Sequence, residues 1–258
     1  MPHSAAQHSP GPRRAGAELQ PRDFFDRPAV AVAPDLLGCL ISHQTAEGLV
    51  TVRLTEVEAY AGEADPASHA FRGRTARNAV MYGPPGHTYV YFTYGMHFCV
   101  NLVCEREDHA SAVLLRAGQV NEGVPLATAR RFGRASLDGG VGADRAGRRR
   151  SPRTAARELD LARGPARLCE ALGIDRAQNG ADAVSPASPL RVSAPLTPVP
   201  AADISHGPRV GVSRAADVPW RFWIAGDPAV SPYRAYVRRR TQPKPVTGPG
   251  REDGIMPQ

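Results

Sequence analysis

The stretch from Asn78 to Cys104 contains no Asp, Glu, Lys or Arg, and no other feature of the sequence constrains the fold as strongly. A segment of that length is long enough to cross a bilayer as a helix. Gly83-Pro84-Pro85-Gly86 interrupts it, however, and the remainder is rich in β-branched and aromatic residues, which suit a pleated, packed surface. It reads as sheet. Thr88 to Phe92 and Met96 to Val103 form two strands around a hairpin tip at Tyr94-Gly95. Val50, Val52 and Leu54 alternate with Thr51, Arg53 and Thr55, the period of a half-buried strand. Ala112 to Leu115 is a further strand ending at Arg116, and Val210 to Val212 and Phe222 to Ile224 are the last.

Helices are expected at Asp35 to Leu40, at Val124 to Arg131, and from Gly164-Pro165, where proline suits a first turn, to Gly173, a natural C-cap residue. Leu168, Cys169 and Leu172 give the last of these an apolar face. Strands and helices do not alternate regularly, so the expected class is α+β: a single domain with a curved, mainly antiparallel β-sheet and surrounding helices. The 258 residues can bury a core without covalent staples. The 25 glycines and 25 prolines exceed the usual share. They are prominent in a basic leader (1–20), an insertion (about 133–156) and a tail (243–258), all expected to be disordered. The domain proper then spans 21–242. The leader has Arg13 and Arg14 but no apolar core, so it is not a signal peptide, and a cytoplasmic location is expected.

Lys plus Arg number 32 against 25 Asp plus Glu, a net charge of +7, and Lys244 is the single lysine. An arginine surface suits forked phosphate contacts and a polyanionic partner, although a codon-biased genome produces the same composition. Cys39, Cys99, Cys104 and Cys169 show no paired spacing and read as reduced thiols in a core. His97, Cys99 and Cys104 sit in a strand pattern with no fourth ligand, so no metal is expected.

Two features point to chemistry. If the strand period beginning at Val50 holds, Glu56, Glu58 and Tyr60 continue its apolar face, where burial raises a carboxyl pKa towards proton exchange at neutral pH. An arginine at a strand end would instead make this an ordinary ion pair, and spacing does not choose between the two glutamates. The second feature is aromatic clustering: six of the 14 Tyr and Phe residues (Tyr82, Tyr89, Tyr91, Phe92, Tyr94, Phe98) fall between positions 82 and 98. Core packing explains most such clusters. Aromatic faces among basic residues also stack on nucleobases, and a tyrosine at a hairpin tip projects like a wedge.

The ordered blocks Thr55-Glu56-Val57-Glu58-Ala59-Tyr60, Ala67-Ser68-His69, Arg77-Asn78, Pro85 to Tyr91, Tyr94 to Asn101, Val113 to Ala117, Gly164-Pro165 through Ile174, and Arg209-Val210-Gly211-Val212 resemble the alkyladenine (3-methylpurine) DNA glycosylases over roughly residues 21 to 238. Departures are Val57, Ala61, His97 where an aromatic is common, and the 133–156 insertion; they bear on substrate range more than on reaction class. The resemblance implies that Glu58 is the general base for water and that Arg116 and the Val210 carbonyl help to hold that water. It places Tyr60, His69 and Tyr91 around a flipped base, Tyr94 in the vacated stack, and Asn101 against the minor-groove edge of the purine, rejecting a guanine amino group.

The function so implied is that of a monofunctional, cofactor-free glycosylase. It would bind double-stranded DNA as a monomer, extrude alkylated or deaminated purines and hydrolyse the N-glycosidic bond, which starts base excision repair; in a bacterium it would be associated with the nucleoid. Two rivals remain at this stage. A bifunctional glycosylase and lyase needs an amine, for which only Pro2 after Met1 removal and Lys244 are at hand. A non-catalytic DNA-binding protein would use Tyr94 as a wedge and Glu58 as an ion-pair partner.

Overall fold

In the computed structural model, which describes residues 17–93, 95–133 and 157–236, one long strand organises the rest. β2 (Gly48–Tyr60) is bonded along one edge to β5 (Ser111–Glu122). Its other edge is shared: β1 (Leu40–Thr45) pairs with its first half and β8 (Arg221–Ile224) with Glu56 to Glu58. β3 (Thr88–Thr93) and β4 (His97–Cys104) extend the sheet beyond β5, while β6 (Leu190–Ser193) lies outside β1 and β7 (Ile204–Gly207) outside β8. The result is one eight-stranded sheet in which every pairing is antiparallel, within a single α+β domain.

The α-helices that lie wholly within the described residues are α1 (Arg22–Phe25), α2 (Ala29–Asp35), α3 (Val124–Phe132) and α4 (Pro165–Leu172). Val32 and Ala33 of α2 and Leu168 and Leu172 of α4 join Val50, Val52, Leu54, Val57 and Ala59 of β2 and Val113 and Leu115 of β5 in one buried cluster. α4 opens on Pro165 and closes on Gly173 at φ +70°, as expected from its punctuation. Among the described residues no helix is long and apolar enough to cross a membrane.

Four expectations need correction. The helix expected at Asp35 to Leu40 runs earlier, because Pro28 opens α2 at Ala29 and the chain turns at Gly38 (φ +83°) before Leu40 starts β1. Val210 to Val212 is not a strand, because the Val210 N–H is spent on a side chain instead of a ladder. Glu18 to Gln20, placed in the leader, lie along β6: Gln20 N–H donates to the Val192 carbonyl at 3.0 Å and Ala194 N–H to the Glu18 carbonyl at 2.7 Å. Tyr94 and positions 134–156 and 243–258 lie outside the described residues.

The fourth correction matters most. The β2 period does not hold through Glu56: after a first shift between Thr51 and Val52, the register with β5 shifts twice more around Glu56, between Leu54 and Glu56 and between Glu56 and Val57. Thr55 on β2 and Arg116 on β5 are the extra residues, and such bulges turn a strand's alternation over. Val57 and Ala59 therefore continue the core face, while Glu56, Glu58 and Tyr60 point to the other side of the sheet.

Candidate active site

Register across four strands assembles the floor of a cleft. Glu58 faces Leu114, Leu114 faces Asn101, and Asn101 faces Tyr89; two residues further along lie Arg116, Cys99 and Tyr91, the last two paired with each other. Residues two apart on a strand share a face, so both rows look the same way. They underlie a cleft of about 690 Å³ walled by the 66–72 segment with His69 and by the 210–214 segment with Val210. That volume suits one purine with its sugar.

Both glutamates are fully buried, and their partners differ. Glu56 is saturated: Arg116 Nε and Arg221 Nε donate to Oε1 at 2.8 and 2.7 Å, and the Ser231 N–H donates to Oε2 at 2.7 Å. Burial pushes its carboxyl up, but Arg116, the Ser231 N–H and Arg221 together outweigh that and hold it below the usual range. The rise expected from burial is thus reversed, and Glu56 is the ion-pair partner. Glu58 receives the Tyr60 O–H on Oε2 at 2.8 Å and the Val210 N–H on Oε1 at 2.6 Å, with Arg116 Nη1 3.2 Å from Oε2. All three donors line the cleft and Glu58 does not, so its carboxylate sits one hydrogen bond behind the wall.

The aromatic side is equally ordered. The His69 and Tyr91 rings meet edge to face at 4.5 Å, and His69 Nδ1 lies 3.1 Å from the Tyr89 hydroxyl. Burial, aided by Arg77, pushes the His69 pKa down. Burial also drives the Tyr60 and Tyr91 phenols well above their ordinary value, so both stay protonated. Asn101 is buried on the floor and donates to the Tyr89 carbonyl at 3.0 Å. The hairpin turns at Gly95 (φ +71°), and Phe92 and Met96 on either side of the tip are 41% and 69% exposed.

The structure therefore gathers Glu58, Arg116, Val210, Tyr60, His69, Tyr91 and Asn101 around one cleft. Sequence reasoning missed Arg221, Asp65 and the part played by Arg209. Their contacts join positions 56 to 221 and 65 to 209, a separation that no local pattern signals.

The family described as methylpurine-DNA glycosylase matches residues 23–228. A protein of Streptomyces avermitilis is 52% identical over 220 residues, covering 85% of this chain and 93% of the relative. One from Leifsonia xyli subsp. xyli is 49% identical over 219 residues (83% and 92%), and one from Burkholderia lata 44% over 222 residues (86% and 95%). All three carry the name "Putative 3-methyladenine DNA glycosylase". A family match that takes in the whole floor of the cleft, with relatives aligned over more than four-fifths of the chain, leaves one assignment: this chain belongs to the methylpurine-DNA glycosylase family.

Proposed function

We propose that this enzyme extrudes an alkylated or deaminated purine nucleotide from duplex DNA into the cleft and hydrolyses its N-glycosidic bond with water activated by Glu58. A base inside the stack is out of reach, and a damaged base costs least to extrude. The base enters between the Tyr60 and Tyr91 rings and His69, whose electron-rich faces favour a cationic alkylpurine. Tyr94 fills the vacated stack, and Asn101 excludes a guanine amino group.

Water then attacks the anomeric carbon of the sugar as the purine leaves. Its hydroxyl joins the sugar, Glu58 takes its proton, and the bonding pair departs with the base. The carboxylate also stabilises the cationic sugar of the transition state. Arg116 and the Val210 carbonyl hold the water, which reaches Glu58 once one of the donors now covering its oxygens gives way; catalytic hydrogen bonds often tighten only when substrate is bound. The observation that carries this reading is the convergence of Tyr60, Val210 and Arg116 on one buried carboxylate beneath an aromatic cleft. Among the described residues the cleft lining contains no lysine to form an imine with the sugar, which supports a simple hydrolase over a lyase.

The test is an incubation of the purified protein with duplexes bearing 3-methyladenine, 7-methylguanine, hypoxanthine or ethenoadenine, each with and without borohydride. Free base and an uncut abasic strand are expected, with no trapped adduct. Tight binding without release of any base would make the protein a binder, and a borohydride adduct would make it a lyase.

A further inference from the structure

One buried ion pair ties the two walls of the cleft together. Asp65 lies in the segment that leads to His69, and Arg209 immediately precedes Val210. Neither lines the cleft, and both side chains are wholly buried. The guanidinium forks onto the carboxylate, with Nη2 donating to Oδ1 at 2.9 Å and Nη1 to Oδ2. Asp65 Oδ1 also accepts the Ala67 N–H at 3.0 Å, which fixes the start of the first wall.

Arg209 reaches the base by three routes. Its Nη1 donates to the Ala59 carbonyl at 3.0 Å, between Glu58 and Tyr60 on β2. Its guanidinium carbon lies 4.7 Å from the Tyr60 ring centroid and 5.3 Å from that of Trp220. The residue after it donates its N–H to Glu58. A buried pair is weak evidence for stability, since desolvation opposes it, and here the Arg209 Nε hydrogen has no partner among the described residues. A planar fork does, however, fix direction in a way that an ammonium or an apolar side chain does not.

We propose that Asp65 and Arg209 are positioning residues: their ion pair sets the two walls in register, holds the Val210 N–H on Glu58 and fixes the Tyr60 ring for the entering base. This rests on the reading of Glu58 as general base. Arg209→Lys keeps the charge and loses the fork and the stack; Asp65→Asn keeps the shape and loses the charge. In single-turnover release of 3-methyladenine from duplex at saturating enzyme, each should lower the limiting rate about 10- to 100-fold, the usual consequence of a misplacement near an ångström. Half-saturation should move by less than about threefold, because uniform binding is untouched.

The double change Asp65→Asn with Arg209→Gln leaves no buried charge unpaired and serves if a single variant does not fold; the same split is expected. A folded variant with the wild-type rate overturns the proposal, as does a loss of rate matched by an equal loss of binding. Glu58→Gln is run alongside: if it keeps its rate, the general-base reading falls and the proposal with it. If it is inactive while the Asp65 and Arg209 variants are not, only the positioning role falls.

Discussion

Glu56 and Glu58 are two positions apart on one strand, equally buried, and held by different neighbours. Glu56 is the counter-ion of two arginines, one of which also touches Glu58, so replacing it disturbs the site through Arg116. Its folded pKa is depressed, so the stability it contributes is present above its unfolded value and is lost as pH falls through the folded one. Glu56→Gln should therefore cost about 3 kcal/mol near neutral pH, the scale for removing one partner of a buried pair. The gap from wild type should narrow below about pH 4.3, where an unfolded glutamate takes up its proton. Urea melts at pH 7, 5, 4 and 3 check this, and a gap independent of pH would contradict it. Spacing along the strand does not separate the two glutamates, because what separates them physically is Arg221 and Ser231, more than 160 positions away.

Among the elements, those with local punctuation were legible in advance. β3 and β4 announce themselves by an uncharged aromatic run, and α4 by Gly164-Pro165 and Gly173. β1, β6 and β7 were missed, being at most six residues long and lacking sustained alternation. The paired bulges at Thr55 and Arg116 were invisible for a different reason: a bulge is a relation between two strands, and single-strand periodicity carries the count straight through it. Extending the Val50 period thus gave the right residues and the wrong face. The exit of β2 makes a testable point. Gly62 has φ +58°, and a Cβ there would sit 2.0 Å from the Ala110 carbonyl oxygen, part of the backbone leading into β5. Gly62→Ala should destabilise by about 2–4 kcal/mol, since strain and overpacking act together. Thermal melting checks it; an unchanged midpoint would mean that this exit is looser than described.

At the scale of the molecule, a +7 chain whose cations are nearly all arginine meets a polyanion, and two of them stand at the cleft mouth. Arg72 lines one wall and Arg214 the other, both exposed. If each contacts a phosphate beside the extruded nucleotide, Arg72→Ala and Arg214→Ala should each reduce the slope of log affinity against log salt by about 0.9. Binding should weaken alike on damaged and undamaged duplex, because phosphate contacts position without reading sequence. Titrations at four salt concentrations decide this, and an unchanged slope removes the residue from the interface.

The division of labour between the glutamates is tested most directly by single-turnover base release from a 3-methyladenine duplex at saturating enzyme, comparing wild type with Glu58→Gln. The amide preserves shape and cannot take a proton from water, so release should fall by at least about 100-fold, while the duplex is bound as before. Release at or near the wild-type rate by a folded, DNA-binding Glu58→Gln protein would contradict the assignment of Glu58 as the base.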